Sequence, residues 1–151
     1  MTSGPDTERS VALTRTGPSA YTATNVRGTT LSIGDGSTDD FTPVELLLVA
    51  LAGCTAITVD PLVSRRAEPE TFDVHTRADK IRDDLGSHLV DLLMRFDVAF
   101  PDGEAGDKAR ALLPDAIDKA EQRLCTVART LALGIQAEVE IEDVRASRTS
   151  S

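Results

Sequence analysis

The chain is 151 residues long, 40% hydrophobic and 27% charged, which suits one globular domain with its own core rather than two. Sixteen Lys and Arg against 25 Asp and Glu leave a net charge of −9, which argues against partners held by bulk positive charge, so neither nucleic acid nor a membrane is expected. The opening residues, MTSGPDTERS, have neither the basic start nor the apolar run of a secretory signal, and a cytoplasmic, reducing location is expected.

Residues 1–10 read as a polar tail, 11–144 as a single domain and 145–151 as a second polar tail. From Val11 to Ile33 short β-prone runs are broken at Gly17-Pro18 and Arg27-Gly28, the pattern of a small antiparallel meander. Gly34 to Asp40 is a loop of turn residues. Thr42 then caps a helix with Pro43 at its first position and Glu45 in its first turn. Val44 to Val59 holds one charge and is apolar nearly all round, so this helix is expected to be buried on most of its surface. Pro61 predicts a kink or break, with the helix finished by Ala67.

Beyond Pro69 the period changes to two. Phe72, Val74 and Thr76 alternate with polar residues, Leu89 to Phe100 is rich in strand formers, and the polar break at Asp83 to Gly86 joins the two into a long hairpin. Pro101 to Asp107 reads as a loop. A helix is expected from about Asp107 toward Leu113, and Pro114 should open a second helical series carrying Ile117, Ala120 and Leu124. Gly134 closes the helical region, and Ile135 to Ile141 reads as a last strand. The fold class is α+β, antiparallel sheets wrapped around a buried central helix.

Two cysteines are too few for a disulfide scaffold or a four-thiolate zinc site. Cys54 lies in LAGCTA on the apolar helix and Cys125 in RLCTVART, 71 residues later, each followed by a threonine. Either they are inert core residues, the usual fate of unpaired cysteine, or they are a reactive pair. A reactive thiol needs a nearby positive charge or donors to offset the cost of burying a thiolate. Arg129, four residues after Cys125, would face the same side of a continuous helix and could supply one.

FTPVELLLVALAGCTAITV followed by LCTVARTL resembles the OsmC/Ohr family, the osmotically inducible and organic hydroperoxide resistance proteins. NVRG at Asn25 to Gly28 and FPDG at Phe100 to Gly103 extend the resemblance over nearly the whole chain. It implies an intertwined homodimer and a thiol peroxidase acting on organic hydroperoxides. Cys54 would become a sulfenic acid and Cys125 would condense with it to a disulfide. An external dithiol, lipoyl-type in the family's best-known cases, would reset the pair, and no metal or organic cofactor is required. The family activates its thiolate with an arginine held by a glutamate. Arg15 in TRTG is the closer match, with Arg27 in NVRG as the competitor. The family's glutamate stands in a P-E-x-L pattern; here Val44 occupies that position and the carboxylate is Glu45, one residue later and about 100° round the helix. That displacement favours an alternative, a non-catalytic protein of the same fold that binds a small apolar or electrophilic ligand. In a third reading the cysteines are only core.

His75 and His88 share no close spacing with each other or with the cysteines, and there is no G-x-S-x-G elbow, Walker sequence or G-x-G-x-x-G fingerprint. GDGSTDD lacks the alternating ligands and terminal glutamate of an EF-hand loop.

Overall fold

The structure is a computed structural model that describes residues 7–142. Residues 1–6, 143 and 144, and the C-terminal tail expected over 145–151 lie outside the described residues. Strands β1 (Val11–Gly17), β2 (Ala20–Asn25) and β3 (Thr30–Ile33) form the antiparallel meander expected from the turn residues, in the order β1-β2-β3. Gly28, at φ 87°, turns the chain between β2 and β3, a backbone region that disfavours residues with a Cβ.

Helix α1 (Pro43–Ser64) begins as its sequence dictates. Thr42 is the N-cap, its Oγ1 accepting the Glu45 N–H at 3.2 Å, and Pro43 loses nothing by lacking an N–H there. The helix continues through Pro61 without the expected break and ends at Ser64. Strands β4 (Thr71–Asp83) and β5 (Gly86–Ala99) pair as the long antiparallel hairpin. The register shifts between Arg77 and Asp79, opposite a stretch of β5 in which Asp91 adopts φ 52°.

Helix α2 (Glu104–Lys119) corrects the expected division at Pro114. It is one helix with Pro114 inside it, starting three residues earlier than expected, so Gly106 falls in its first turn. A Cβ on Gly106 would lie on the Pro101 carbonyl oxygen, which explains why glycine stands there. A π-helical stretch, Ala120–Leu124, follows, and then α3 (Thr126–Leu133), closed by Gly134 in the left-handed conformation. The strand expected at Ile135–Ile141 is absent: the described part of this segment has no regular structure and pairs with no strand of the same chain. Apolar alternation supplies a face, but a strand also needs an edge to bond to.

Val59 and Val63 of α1, Ala109, Ala116 and Ala120 across the α2 region, and Phe100 form the main core, with Phe72 and Val98 of the hairpin packed on it. Small residues on α2 let its backbone approach α1 closely. The expectation that α1 is buried on most of its surface does not hold within one chain. Its buried residues are Leu51, Thr55, Val59 and Val63, a single i+4 stripe, while Ile57 is 77% and Val49 52% exposed. By length and composition α1 could cross a membrane, but Val59 and Val63 of this stripe are seated against α2 and the hairpin, and Leu51 against Cys125 and Ala128.

Candidate functional site

Cys54 lies on α1 beside the buried stripe, one residue before Thr55, with Leu47 and Leu51 preceding it at i−7 and i−3. It is partly exposed. Cys125 is reached by a different route. The π-helical stretch bonds the Cys125 N–H to the Ala120 carbonyl at 2.7 Å, five residues back, and this wider turn ends the first helical run. Cys125 itself is extended, at φ −78° and ψ 109°, and acts as the N-cap of α3. Its sulfur accepts the Ala128 N–H at 3.3 Å.

The two thiols meet. Leu51, Cys125 and Ala128 form a buried cluster against which Cys54, Met94 and Val127 pack, and the Cys54 thiol is within hydrogen-bonding reach of Cys125. Both cysteines are free thiols. Burial pushes the Cys125 thiol up, and the hydrogen bond with Cys54 adds to that; the Ala128 N–H and the Thr55 hydroxyl pull the other way. The net displacement is upward, so Cys125 is held as a neutral thiol.

Arg129 does not face Cys125 in the expected way. With Cys125 extended, helical i+4 geometry does not apply; only the Arg129 backbone N–H reaches the Cys125 carbonyl, at 3.0 Å. Arg15 is exposed on β1 opposite Tyr21, and Arg27 sits in the β2–β3 turn, its backbone N–H bonded to Asn25 Oδ1 at 3.0 Å. Among the described residues no guanidinium bonds to either sulfur, and β1–β3 barely contacts the helices that carry them. Glu45 is engaged elsewhere: its Oε1 accepts the Thr42 hydroxyl at 3.0 Å, and the same hydroxyl oxygen accepts the Glu45 N–H, which ties the carboxylate to the N-cap of α1.

Residues 34–140 match the family model described as OsmC-like protein. The chain belongs to the OsmC-like family. Over 134 residues it is 34% identical to an uncharacterized protein of Mycobacterium tuberculosis, covering 87% of this chain and 95% of that protein. Its fold is similar to that of an OsmC-like protein of unknown function from Vibrio cholerae, with a TM-score of 0.67 at 14% identity over 82% of this chain and 92% of the other. It is also similar in fold to the organic hydroperoxide resistance protein OhrB of Bacillus subtilis, with a TM-score of 0.52 at 14% identity over 80% and 89%. In this OsmC-like chain, Cys54, Cys125 and Glu45 fall inside the matched span, whereas Arg15 and Arg27 precede it.

Two site residues escaped the sequence reading. Thr55 is fully buried, and its Oγ1 lies 2.6 Å from Glu121 Oε1 and 3.7 Å from Cys125 Sγ. Glu121 stands four residues before Cys125, the mirror of the spacing that drew attention to Arg129, so the same periodic argument run backwards would have found it.

Proposed function

We propose that this protein is a thiol-dependent reductase of organic hydroperoxides. Cys54 attacks the peroxide oxygen, the O–O bond breaks, an alcohol leaves and Cys54 becomes a sulfenic acid. Cys125 then condenses with it, releasing water and leaving a Cys54–Cys125 disulfide. A dithiol, lipoyl-type by class, reduces that bond in a reducing compartment such as the cytoplasm. The observation that carries this reading is the contact between a partly exposed Cys54 and a fully buried Cys125, residues 71 positions apart. Inert core cysteines give no reason for one of a touching pair to stay open to solvent.

An organic rather than a free peroxide suits the surroundings. A cleft of about 530 Å³, lined largely by Pro43, Val44, Leu47, Leu89, Leu92 and Leu131, opens toward the N-terminal end of α1. Leu47 lies two helical turns from Cys54, about 10 Å along the axis, within reach of an alkyl chain whose peroxide end is at the thiol.

In this reading the active protein is a homodimer, and the activating guanidinium, Arg15 or Arg27, comes from the second copy. Three surfaces support it: the uncovered apolar flank of α1, the β1–β3 sheet with Val11 70% exposed, and the unpaired segment with Val139 82% exposed. Burying these exposed apolar residues against a second copy would take them out of water.

The test is a thiol count. Reduced protein mixed with an organic hydroperoxide should lose two free thiols per chain, and Cys54→Ser should abolish the loss. Thiols that survive excess hydroperoxide would instead support a ligand-binding protein, the reading favoured by Glu45 being engaged with Thr42 at the helix start.

A further inference from the structure

A polar chain runs from Cys125 through Thr55 to Glu121. A threonine hydroxyl carries a single hydrogen, so Thr55 cannot donate to both of its neighbours. The carboxylate, at 2.6 Å, is the stronger acceptor than sulfur at 3.7 Å. Thr55 therefore donates to Glu121, and the oxygen lone pair it turns to the other side accepts the Cys125 S–H.

We propose that Glu121, acting through Thr55, takes up the proton of Cys125 when that thiol attacks. The proposal rests on the reading of Cys125 as the thiol that closes the disulfide, and it adds the group that frees it to do so. As the Cys125 sulfur bonds to the sulfur of the Cys54 sulfenic acid, the S–O bond of that acid breaks. The Cys125 proton moves to Thr55 Oγ1 and the Thr55 proton moves to Glu121. The departing hydroxide takes a proton from solvent and leaves as water, and Glu121 later returns its own to solvent. The shift turns Thr55 from an acceptor of S–H into a donor to the developing thiolate. Glu121 touches no reacting atom and is a positioning residue.

The neighbours of Cys125 leave few competitors for this role. From α1 it meets Cys54 and Thr55, from α3 the Ala128 N–H and Val127, and from β5 Met94, with Glu121 of the π-helical stretch behind Thr55. Arg129 on α3 bonds to it only through the backbone. The titratable groups of this set are Cys54, in direct contact, and Glu121, one hydroxyl away.

Two measurements test the relay. In Cys54→Ser protein carrying 13C at the Cβ of its remaining cysteine, the Cys125 thiol is titrated by NMR. Glu121→Gln removes a negative charge and frees Thr55 to donate to sulfur, so the midpoint should fall by about one pH unit. Once the thiolate forms, the Thr55 hydrogen can turn from Glu121 to the sulfur; Thr55→Val removes that donor, so the midpoint should rise by about as much, and Thr55→Ser should restore it. Opposite directions are the signature, because simple loosening of the site would move both variants the same way. Equal directions, or no movement in Glu121→Gln, would overturn the proposal.

The second measurement closes the disulfide with diamide, at concentrations where the rate no longer depends on the oxidant. With Glu121 present, closure should fall less steeply below about pH 8 than without it, because the carboxylate takes the proton in place of hydroxide. In Glu121→Gln it should fall about tenfold per unit below about pH 8, following hydroxide alone. Superimposable profiles refute the relay. Because diamide needs no hydroperoxide, a protein that shows the expected profiles yet leaves hydroperoxides intact refutes the peroxidase reading and not the relay.

Discussion

The sulfur of Cys125 accepts the backbone N–H of Ala128 at 3.3 Å, so one atom is both the buried member of the thiol pair and the cap of α3. Placing a nucleophile at a helix N-terminus gives its thiolate a donor and the favourable end of the helix dipole. Here burial outweighs both and favours the neutral thiol.

The double role of Cys125 separates two substitutions. Cys125→Ala deletes the cap and leaves a void, and reduced protein should lose about 1–2 kcal/mol in urea unfolding. Cys125→Ser keeps an oxygen able to accept from Ala128 and should lose less. Equal losses would show that the cap contributes nothing.

A pH dependence follows from the raised Cys125 thiol. A thiol whose folded pKa exceeds its unfolded value, about 8.5, binds its proton more tightly in the folded state. Its contribution is complete below the unfolded value and is lost as pH rises through the folded one. Stability of the reduced protein, relative to Cys125→Ser, should therefore decline on going from about pH 8 to pH 10. A rise over that window would contradict the geometry of the cluster.

At Gly106 an added methyl group would collide with the Pro101 carbonyl, and backbone cannot swing aside as a flexible side chain would. Gly106→Ala should cost about 1–3 kcal/mol and lower Tm, with the thiols themselves untouched. Thermal unfolding by circular dichroism would read this directly.

Ile57 is 77% exposed in a single chain, so Ile57→Glu should leave the monomer fold intact. If a second copy covers α1, sedimentation should find a dimer for the parent and a monomer for the variant, with slower hydroperoxide-driven thiol loss. A parent that sediments as a monomer would remove the second copy from the proposal.

Glu45 is tied into the cap of α1, and Glu45→Gln keeps an oxygen that can accept from Thr42. Thiol loss with hydroperoxide should stay within about twofold of the parent, and stability should fall by less than about 1 kcal/mol. A collapse of thiol loss would return Glu45 to the chemistry.

Local signals in the sequence located most elements. Gly17-Pro18 and Arg27-Gly28 mark the turns of β1–β3, Thr42-Pro43 the start of α1, Asp83 to Gly86 the hairpin turn, and Gly134 the end of α3. These signals work because each rests on the φ, the donor or the side-chain oxygen of a few neighbouring residues. The failures share a different cause. Pro114 stays inside α2 because packing of Ala109, Ala116 and Ala120 against α1 holds the helix on both sides of it. Ile135 to Ile141 has the alternation of a strand and no partner edge among the described residues of its own chain.

The sequence by itself determined that two cysteines stand in the OsmC-like pattern, one on an apolar helix and one near a helix end, because residue type and spacing carry that much. Only the tertiary structure decided that the two cysteines pack in one cluster, that one is partly exposed and the other buried, and that Glu121 reaches Thr55 across 66 residues of chain. Such contacts depend on how α1, the π-helical turn and α3 are packed against one another, and no local periodicity encodes that arrangement.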